Sequence, residues 1–234
     1  MNVTFETRLP LTVPVMPLDG HVLLPMAATP YRVSDPRHRR LVQDLLEKPA
    51  DQRWLAVPPR LPMVAMLERP EHGESDSAEL AEVAALGLLT VATPLDGGEF
   101  IIVVEGRSAC RLESAHFTGD HQTPYRMAKI RHLVDRPEPL VDSRASTATL
   151  IQAYFCLCES FGLAADLAHN DQPEDDIGLV YRLGSAVIED PSARALLLSE
   201  RCPARRREQV LNQIIDQMAF AMRERLLGKD AIRC

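Results

Sequence analysis

The residue types that most often carry chemistry are present in this sequence, but their spacing matches no common catalytic motif. A phosphate-binding loop needs glycines that end in Gly-Lys-Ser or Gly-Lys-Thr, whereas Gly228-Lys229 is followed by Asp230. The sequence contains neither a G-x-S-x-G nucleophile elbow nor an H-E-x-x-H zinc motif. These mismatches exclude the commonest signatures of ATPases, α/β-hydrolases and zinc proteases.

The remaining nucleophiles and metal ligands form no recognisable site either. The five cysteines are unevenly spaced, which does not indicate a disulfide framework, and Cys156-x-Cys158 lacks the C-x-x-C spacing of zinc ribbons. His116 and His121 flank a polar stretch that is predicted to be a loop. With three lysines in the chain, few Ser/Lys dyads are conceivable. We therefore predict a protein that is not an enzyme, with no catalytic residues, no cofactor and no metal site.

Composition and charge narrow the classes of partner. The net charge of −7 argues against a nucleic-acid-binding protein, which usually carries a basic surplus. Arginine outnumbers lysine 23 to 3, an excess that we attribute to a GC-rich genome, and it forms local clusters in "PRHRR" and "RCPARRRE". No apolar run reaches the roughly 18 residues of a membrane span, and the N-terminus, with Glu6, does not match a signal peptide. We expect a cytoplasmic protein with no membrane contact.

The chain changes character near residue 138, which separates two predicted domains, 1–138 and 139–234. Before that point, short β-type runs alternate with proline and glycine, and "VDRPEPLVDS" marks the boundary. Strands are predicted in "LPLTVPVMP", "ATPYRVSD", "WLAVPP" and "YRMAKIRHLV", and in a hairpin that turns at "DGG". One helix, opening at Asp35-Pro36, interrupts them. This pattern predicts a closed or nearly closed antiparallel β-barrel.

The second domain is predicted to be helical almost throughout. Apolar periodicity indicates helices near residues 143–168, 176–189, 191–200 and 204–227. The last helix carries a stripe that we expect to pack inside its own bundle, formed by Val210, Leu211, Ile214, Ile215, Met218, Met222 and Leu226. Together the two domains predict an α+β protein.

The most specific pattern in the chain is "PLDGHVLLPMAATPYRVSDPRHRRLV", which begins at Pro17. It resembles the start of the Lon N-terminal domain family, in which a P-L pair, a V-x-x-P step and a short strand precede an acid-Pro-Arg helix. The matching positions are Pro17, Leu18, Val22, Pro25, Pro30, Asp35, Pro36, Arg37, Arg39, Leu41 and Val42.

Later segments resemble the same family in the same order. The hairpin "EVAALGLLTVATPLDGGEFIIVVEGRSACRLE" matches at Gly87, Asp96, Gly97, Gly106 and Arg111. The strand "TPYRMAKIRHLVD" matches at Pro124, Tyr125, Ala128, Leu133 and Asp135. The segment "DPSARALLLSERCPARRREQVL" is similar to the family's terminal helices. One departure is Leu112, which stands where the family commonly has an aromatic residue.

The resemblance implies a PUA-like antiparallel β-barrel followed by an α-helical bundle. It also implies the family's association with substrate engagement, in a stand-alone member that lacks the ATPase module and the Ser/Lys protease domain. We therefore expect a non-catalytic protein-binding module that engages unfolded polypeptides or a partner protein such as a protease. Two other functions stay open: nucleic-acid binding, because PUA-like barrels elsewhere bind RNA, and small-molecule binding in the cleft between the domains.

The binding patch is expected to be formed by exposed apolar residues and to cover roughly a few hundred Å². The candidates are Tyr31, Trp54 and Met63, with Arg37 and Arg40 at the edge. In the alternative interpretation, Tyr31 and Trp54 are core or half-buried strand residues. The two arginines would then pair with acids along their helix, where surface pairs contribute about 0–1 kcal/mol.

Overall fold

The computed structural model describes residues 11–17, 21–59, 80–117, 123–136, 146–163 and 176–230. The chain divides into two compact units, residues 1–133 and residues 134–234. The first, here called the sheet unit, carries the described strands and one α-helix, and the second, the helical unit, carries the other α-helices.

The strands of the sheet unit pair antiparallel. The elements are β1 (Thr12–Pro14), β2 (Ala28–Val33), α1 (Pro36–Leu46), β3 (Trp54–Val57), β4 (Val83–Pro94), β5 (Phe100–Phe117) and β6 (Arg126–His132). Their order in the sheet is β1-β6-β5-β4-β3, and β2 lies along the first part of β5. β6 lies along the same edge of β5 as β2 does, and it pairs with the second part of β5.

The sheet is not closed into a barrel. Within the described residues, the two end strands β1 and β3 meet only through a parallel bridge between Val15 and Ala56, where the Met16 N–H donates to the Ala56 carbonyl at 2.9 Å. β1 has three residues and ends at Pro14, which has no N–H to extend a ladder. The predicted α+β class and antiparallel sheet are confirmed, while the closed form of the barrel is not.

Local sequence explains the turn and the helix that frame this sheet. The hairpin between β4 and β5 turns through a short 3₁₀ segment at Asp96–Gly98, as the Asp-Gly-Gly sequence predicts. α1 begins at Pro36 and buries Leu41, Val42 and Leu45, which lie at helical spacing on one side. Both elements are therefore dictated by residues within a few positions of each other.

A compact apolar cluster fills the space between β1, β3, β4, β5 and β6. Its buried members are Val13, Val15, Ala56, Ala84, Leu86, Cys110, Ala128 and Ile130. Burial raises the pKa of the Cys110 thiol to about 12, so this cysteine stays protonated and acts as a small apolar side chain.

The helical unit contains α2 (Thr147–Phe161), α3 (Asp176–Val187), α4 (Pro191–Ser199) and α5 (Pro203–Asp230). α2 is shorter than predicted. Ser146 caps its start by accepting the Thr149 N–H at 3.1 Å, and Gly162, in the left-handed conformation, ends it. Among the described residues, no helix combines the length and the apolar character needed to cross a membrane.

α5 packs against α2 and α3 through part of its apolar stripe, while other residues of the stripe face solvent. Val210 and Ile214 are fully buried and Ala221 is nearly so, whereas Ile215 and Met222 are exposed. Consecutive helical residues point about 100° apart, because a helix has 3.6 residues per turn. Ile215 and Met222 each follow a buried residue and therefore lie on the outer side.

Candidate protein-binding surface

Two of the aromatic and apolar binding candidates lie in or beside the core. Tyr31, on β2, is 6 % exposed, and its ring meets the edge of His21 with the centroids 5.8 Å apart. Trp54 is half-buried and packs against the apolar cluster. Met63 lies outside the described residues. These positions agree with the alternative of core or half-buried strand residues, while a binding role for any of them stays a prediction.

Arg37 helps to build the start of α1. The Asp35 carboxylate accepts the Arg37 N–H at 2.7 Å and pairs with the Arg37 guanidinium at 3.2 Å. Burial alone would raise the pKa of Asp35, but the hydrogen bonds from Arg37 outweigh it and leave that pKa below its ordinary value. The cap therefore stabilises the fold above the pKa of an unfolded aspartate, about 3.9, and this contribution is lost as the pH falls through the lower folded value.

Arg40 belongs to a second polar group that ties α1 to the start of β6. Its Nε lies 2.9 Å from Asp44 Oδ1, and the Tyr125 hydroxyl donates to Asp44 Oδ2 at 2.7 Å. Burial, together with the neighbouring Asp44 carboxylate, raises the pKa of Tyr125, so its hydroxyl remains a donor at neutral pH. Asp44 thus joins α1 to the residue before β6. Both Arg37 and Arg40 pair with acidic residues, as the alternative interpretation of these two arginines predicts.

Replacing Tyr125 with phenylalanine is expected to lower the free energy of unfolding by about 1.5–3 kcal/mol, because a hydrogen bond to a charged acceptor is lost while the ring remains. Urea unfolding followed by the fluorescence of Trp54, the single tryptophan, measures the change in the sheet unit. Arg40→Gln is the control, since removing an exposed i,i+4 pair costs about 0.5 kcal/mol or less. Equal effects of the two variants would contradict this assignment.

A different group of residues presents apolar surface to solvent. Val91 on β4 is 50 % exposed and Ile101 on β5 is 42 % exposed, and Pro30 on β2 is exposed as well. Half-buried Leu88 and Val103 lie beside them. We call these five residues, Pro30, Leu88, Val91, Ile101 and Val103, the apolar face.

Strand register places these side chains on one side of the sheet. Val103 is opposite Pro30 on β2 and opposite Val91 on β4, so the three form a row across the strands. Residues directly opposite each other in antiparallel strands point to the same side. A β-bulge at Thr90 shifts the register between Leu89 and Val91, which brings Val91 rather than Thr90 opposite Val103.

The apolar face extends towards Trp54. The next row contains Ala28, Glu105, Leu88 and Trp54 in successive register across β2, β5, β4 and β3. Trp54 and Leu88 therefore lie on the same side of the sheet as the apolar cluster, at the point where that side continues into the apolar face. Trp54 is therefore the one sequence-predicted candidate, among those in the described residues, that lies next to an exposed apolar surface.

Charged residues around the apolar face form mutual pairs. Arg32 lies 2.7 Å from Glu99, and Arg107 lies 2.8 Å from Glu105. The guanidinium of Arg39 donates to the Gly97 carbonyl at 2.8 Å. In the two ion pairs each arginine is neutralised by its glutamate, so paired charges flank the apolar residues, as is common at protein interaction sites.

The strand edges beside the apolar face resist the addition of another strand. In the described part of the sheet, β2 pairs with β5 alone, and the half of β4 beyond Leu89 has no strand on its far side. β2 carries Pro30 and β4 ends at Pro94. Proline removes a donor and is a common protection of sheet edges. In this region the side chains of the face are therefore more accessible to contact than the backbone of an edge.

The sequence contains a signal for this surface that catalytic and family motifs do not capture. Residues Ile101–Val104 are four consecutive apolar residues in an antiparallel strand. Because successive side chains point to opposite sides, two of them must face away from the core. Ile102 and Val104 are fully buried, and Ile101 and Val103 point outward.

The described residues offer little support for catalysis. Ser108 Oγ lies 3.4 Å from His132 Nδ1, a distance at the weak end of hydrogen bonding, and burial lowers the pKa of His132. In the parts of the chain with described structure, no three His, Cys, Asp or Glu side chains come together as ligands for a metal ion. The apolar face is thus the better candidate for a functional surface.

Comparison with known proteins places the chain in a family. Residues 12–216 match the profile of the ATP-dependent protease La (LON) substrate-binding domain. The chain belongs to the Lon substrate-binding domain family. The suspected family is therefore confirmed, and the match includes all five residues of the apolar face.

Individual relatives agree with this assignment. The chain is 28 % identical over 192 residues to Lon protease 2 of Sorangium cellulosum (strain So ce56), covering 82 % of this chain and 21 % of that protein. The N-terminal domain of a Mycobacterium avium complex Lon protease superposes with a TM-score of 0.65 at 15 % identity, covering 88 % of this chain and 98 % of that one. A Lon N-terminal domain protein from Xanthomonas campestris gives 0.57 at 18 % identity, covering 86 % and 97 %.

These comparisons support a coarse functional statement. The Lon substrate-binding domain family supports a role in substrate recognition, and the matched region is neither the ATPase nor the protease part of a Lon protein. The structural likenesses show that this chain has the fold of Lon N-terminal domains.

Proposed function

We propose that this Lon-family domain is a non-catalytic, ATP-independent module that binds unfolded polypeptides in the cytoplasm, the compartment that its sequence predicts. The observation that carries the proposal is the apolar face, where Val91 and Ile101 are exposed within a rim of paired charges. A folded partner protein, such as a protease, would bind to the same apolar face if it carried an exposed apolar segment.

The chemistry of the apolar face favours unfolded over native chains. Native proteins bury most of their large apolar side chains, whereas an unfolded chain exposes them for contact with Val91, Ile101 and Pro30. The face has few unpaired charges to select a particular sequence, because Arg32 and Arg107 are already neutralised. Binding driven by apolar area is non-directional, which suits a partner without fixed structure.

The double substitution Val91→Thr/Ile101→Thr is expected to weaken the binding of an unfolded polypeptide about thirtyfold. Threonine keeps the β-branch that strands favour but replaces apolar surface by hydroxyl groups, and burying each apolar group contributes roughly 1 kcal/mol. Fluorescence anisotropy with a labelled, reduced and carboxymethylated test protein measures the dissociation constant. The native form of the same test protein is expected to bind the unchanged chain more weakly than the unfolded form.

The matched control is Leu11→Thr/Leu196→Gln, which removes two exposed leucines that are not part of the apolar face. It is expected to change the dissociation constant less than twofold. Equal binding of the native and unfolded forms by the unchanged chain, or equal losses in the two double variants, would contradict the proposal. Binding that falls steeply with salt would instead indicate contacts with phosphate or other charged groups.

A further inference from the structure

The last helix, α5, presents a line of apolar side chains to solvent. Ile215 directly follows the buried Ile214, and Met222 directly follows the buried Ala221, yet Ile215 is 50 % exposed and Met222 is 56 % exposed. Ala219, between them, is exposed as well. The spacing of four and then three residues aligns these three side chains along one side of the helix. We call Ile215, Ala219 and Met222 the outer stripe.

The contact of α5 with α3 lies on the other side of the helix from the outer stripe. The Gln217 side chain donates to the Val187 carbonyl, at the end of α3, at 2.6 Å. Gln217 is two residues from both Ile215 and Ala219, so it points about 160° away from each of them. The small side chain of Ala219, between two larger ones, allows the backbone of another helix to approach closely. The outer stripe is therefore accessible to a helix from outside the helical unit.

Two exposed charges of opposite sign flank the outer stripe on the same side. Asp216 directly follows Ile215 and Arg223 directly follows Met222, so each lies about 100° around the helix from its neighbour in the stripe. The two are seven residues apart, about 10.5 Å along the helix axis, which is too far for them to pair with each other. Neither has an oppositely charged residue three or four positions away on α5. The ion pairs found among the described residues include neither of them.

We propose that the outer stripe joins two copies of this chain through an antiparallel, twofold-symmetric pair of α5 helices. In a twofold interface the same patch meets itself, so a contact from residue i to residue j is matched by one from j to i. With the axis near Ala219, Asp216 of each copy faces Arg223 of the other, and two ion pairs form. Ile215 faces Met222 in the same way. In a parallel pair, Asp216 would be level with Asp216 and Arg223 with Arg223, so the charges favour the antiparallel arrangement.

The size of the outer stripe predicts a weak association. Specific protein interfaces bury roughly 800 Å² on each partner, which is more than three side chains and two flanking charges provide. We therefore expect a dissociation constant of about 10–100 μM. The exposed ion pairs determine the orientation of the two helices more than the strength of the dimer.

The test is a charge exchange, with dimerisation of the whole chain measured by sedimentation velocity at concentrations from about 2 to about 500 μM. Asp216→Arg is expected to raise the dissociation constant about tenfold, because two ion pairs become two contacts between like charges. Arg223→Asp is expected to have a similar effect. The double variant Asp216→Arg/Arg223→Asp restores both pairs with their signs exchanged, so its dissociation constant is expected to lie within about twofold of that of the unchanged chain.

Two further variants separate the outer stripe from the rest of α5. Glu224→Arg makes the same change of charge two residues after Met222, on the other side of the helix, and is expected to change the dissociation constant less than about twofold. Ile215→Gln keeps the charge and a good helix former but removes apolar surface from both copies, so it is expected to weaken the dimer about thirtyfold. Far-UV circular dichroism confirms that each variant is folded.

Three results would overturn the inference. The first is an unchanged chain that stays monomeric at the highest concentration. The second is a dimer that Asp216→Arg or Ile215→Gln leaves as stable as before, because another surface would then hold it. The third is a double variant that is no more stable as a dimer than Asp216→Arg, which would exclude the antiparallel contact with Arg223. The proposed function stands in each case, because the apolar face belongs to the sheet unit.

Discussion

Replacing Arg206 with alanine is expected to lower the free energy of unfolding of the helical unit by about 3 kcal/mol, because it removes a buried cation that pairs with a half-buried carboxylate. Arg206 lies on α5 and is 1 % exposed. Its guanidinium pairs with the Asp135 carboxylate and lies 4.9 Å from the centre of the Tyr181 ring. The substitution would leave a cavity and a carboxylate that has lost its cation.

The surroundings of Arg206 explain why a large effect is expected. Asp135 belongs to the short segment that opens the helical unit, and this segment is also held by Arg201, which donates from Nε and Nη2 to the Val134 carbonyl at 2.9 and 2.7 Å. The Arg136 N–H donates in turn to the Arg201 carbonyl at 2.8 Å. Burial raises the pKa of Tyr181, an effect that the charge of Arg206 opposes. Loss of Arg206 therefore affects the segment, α3 and α5 together.

Urea unfolding followed by far-UV circular dichroism, which reports on the helices, measures this change. The control is Arg206→Met combined with Asp135→Asn, which fills most of the volume and removes both charges. Replacing a buried ion pair by uncharged side chains of similar size is often neutral, so the double variant is expected to lose less than about 1.5 kcal/mol. A loss below about 1 kcal/mol for Arg206→Ala would show that the pair contributes little.

The example of Arg206 also shows why parts of this structure could not be predicted from the sequence. In "RCPARRRE" the arginines form an apparent basic cluster, yet Arg205 is exposed and Arg206 is buried. Helical geometry requires neighbours to point in different directions, but it does not determine which one faces inward. That choice depends on Asp135 and Tyr181, which are distant in the sequence and are brought together by the packing of the helices.

The elements of the sheet unit were predictable because their signals are local. Asp35-Pro36 starts α1, and the Asp96–Gly98 turn joins β4 to β5, each through interactions within a few residues. Closure of the sheet is different, because it requires pairing between β1 and β3, which are far apart in the chain. The short β1 supplies only the bridge at Val15 within the described residues.

The exposure of the candidate residues was harder to predict than the elements that carry them, for a reason that follows from strand geometry. Tyr31 and Trp54 are aromatic residues in predicted strands, but whether such a residue points inward depends on register, which a single residue shift reverses. The bulge at Thr90 is such a shift, and it places Val91 on the apolar face. The run Ile101–Val104 was the available signal, since an antiparallel strand cannot bury four consecutive side chains on one side.

Replacing Gly106 with alanine is the second substitution with a large expected effect, a loss of about 3 kcal/mol in the free energy of unfolding of the sheet unit. A Cβ at this position would overlap the Leu24 carbonyl oxygen and would lie 3.2 Å from the Pro25 Cα. These are backbone atoms of the turn in which the Ala27 N–H donates to the Leu24 carbonyl, so they cannot rotate away as a flexible side chain could. Either the turn or β5 must move, which strains the hydrogen bonds between Gly106 and the turn.

Gly97→Ala is the matched control because it separates steric overlap from conformational strain. Gly97 has a φ of +77°, and a Cβ added there would meet no atom within 4 Å, so alanine is expected to cost about 1–2 kcal/mol through its left-handed backbone alone. Urea unfolding followed by Trp54 fluorescence reports on the sheet unit in both variants. A loss for Gly106→Ala no greater than that for Gly97→Ala would mean that the contact between β5 and the turn at Leu24 is loose enough to admit a methyl group. If the loss is larger, as expected, the contact is tight, and the turn before β2 is fixed by the close approach of Gly106 to Leu24.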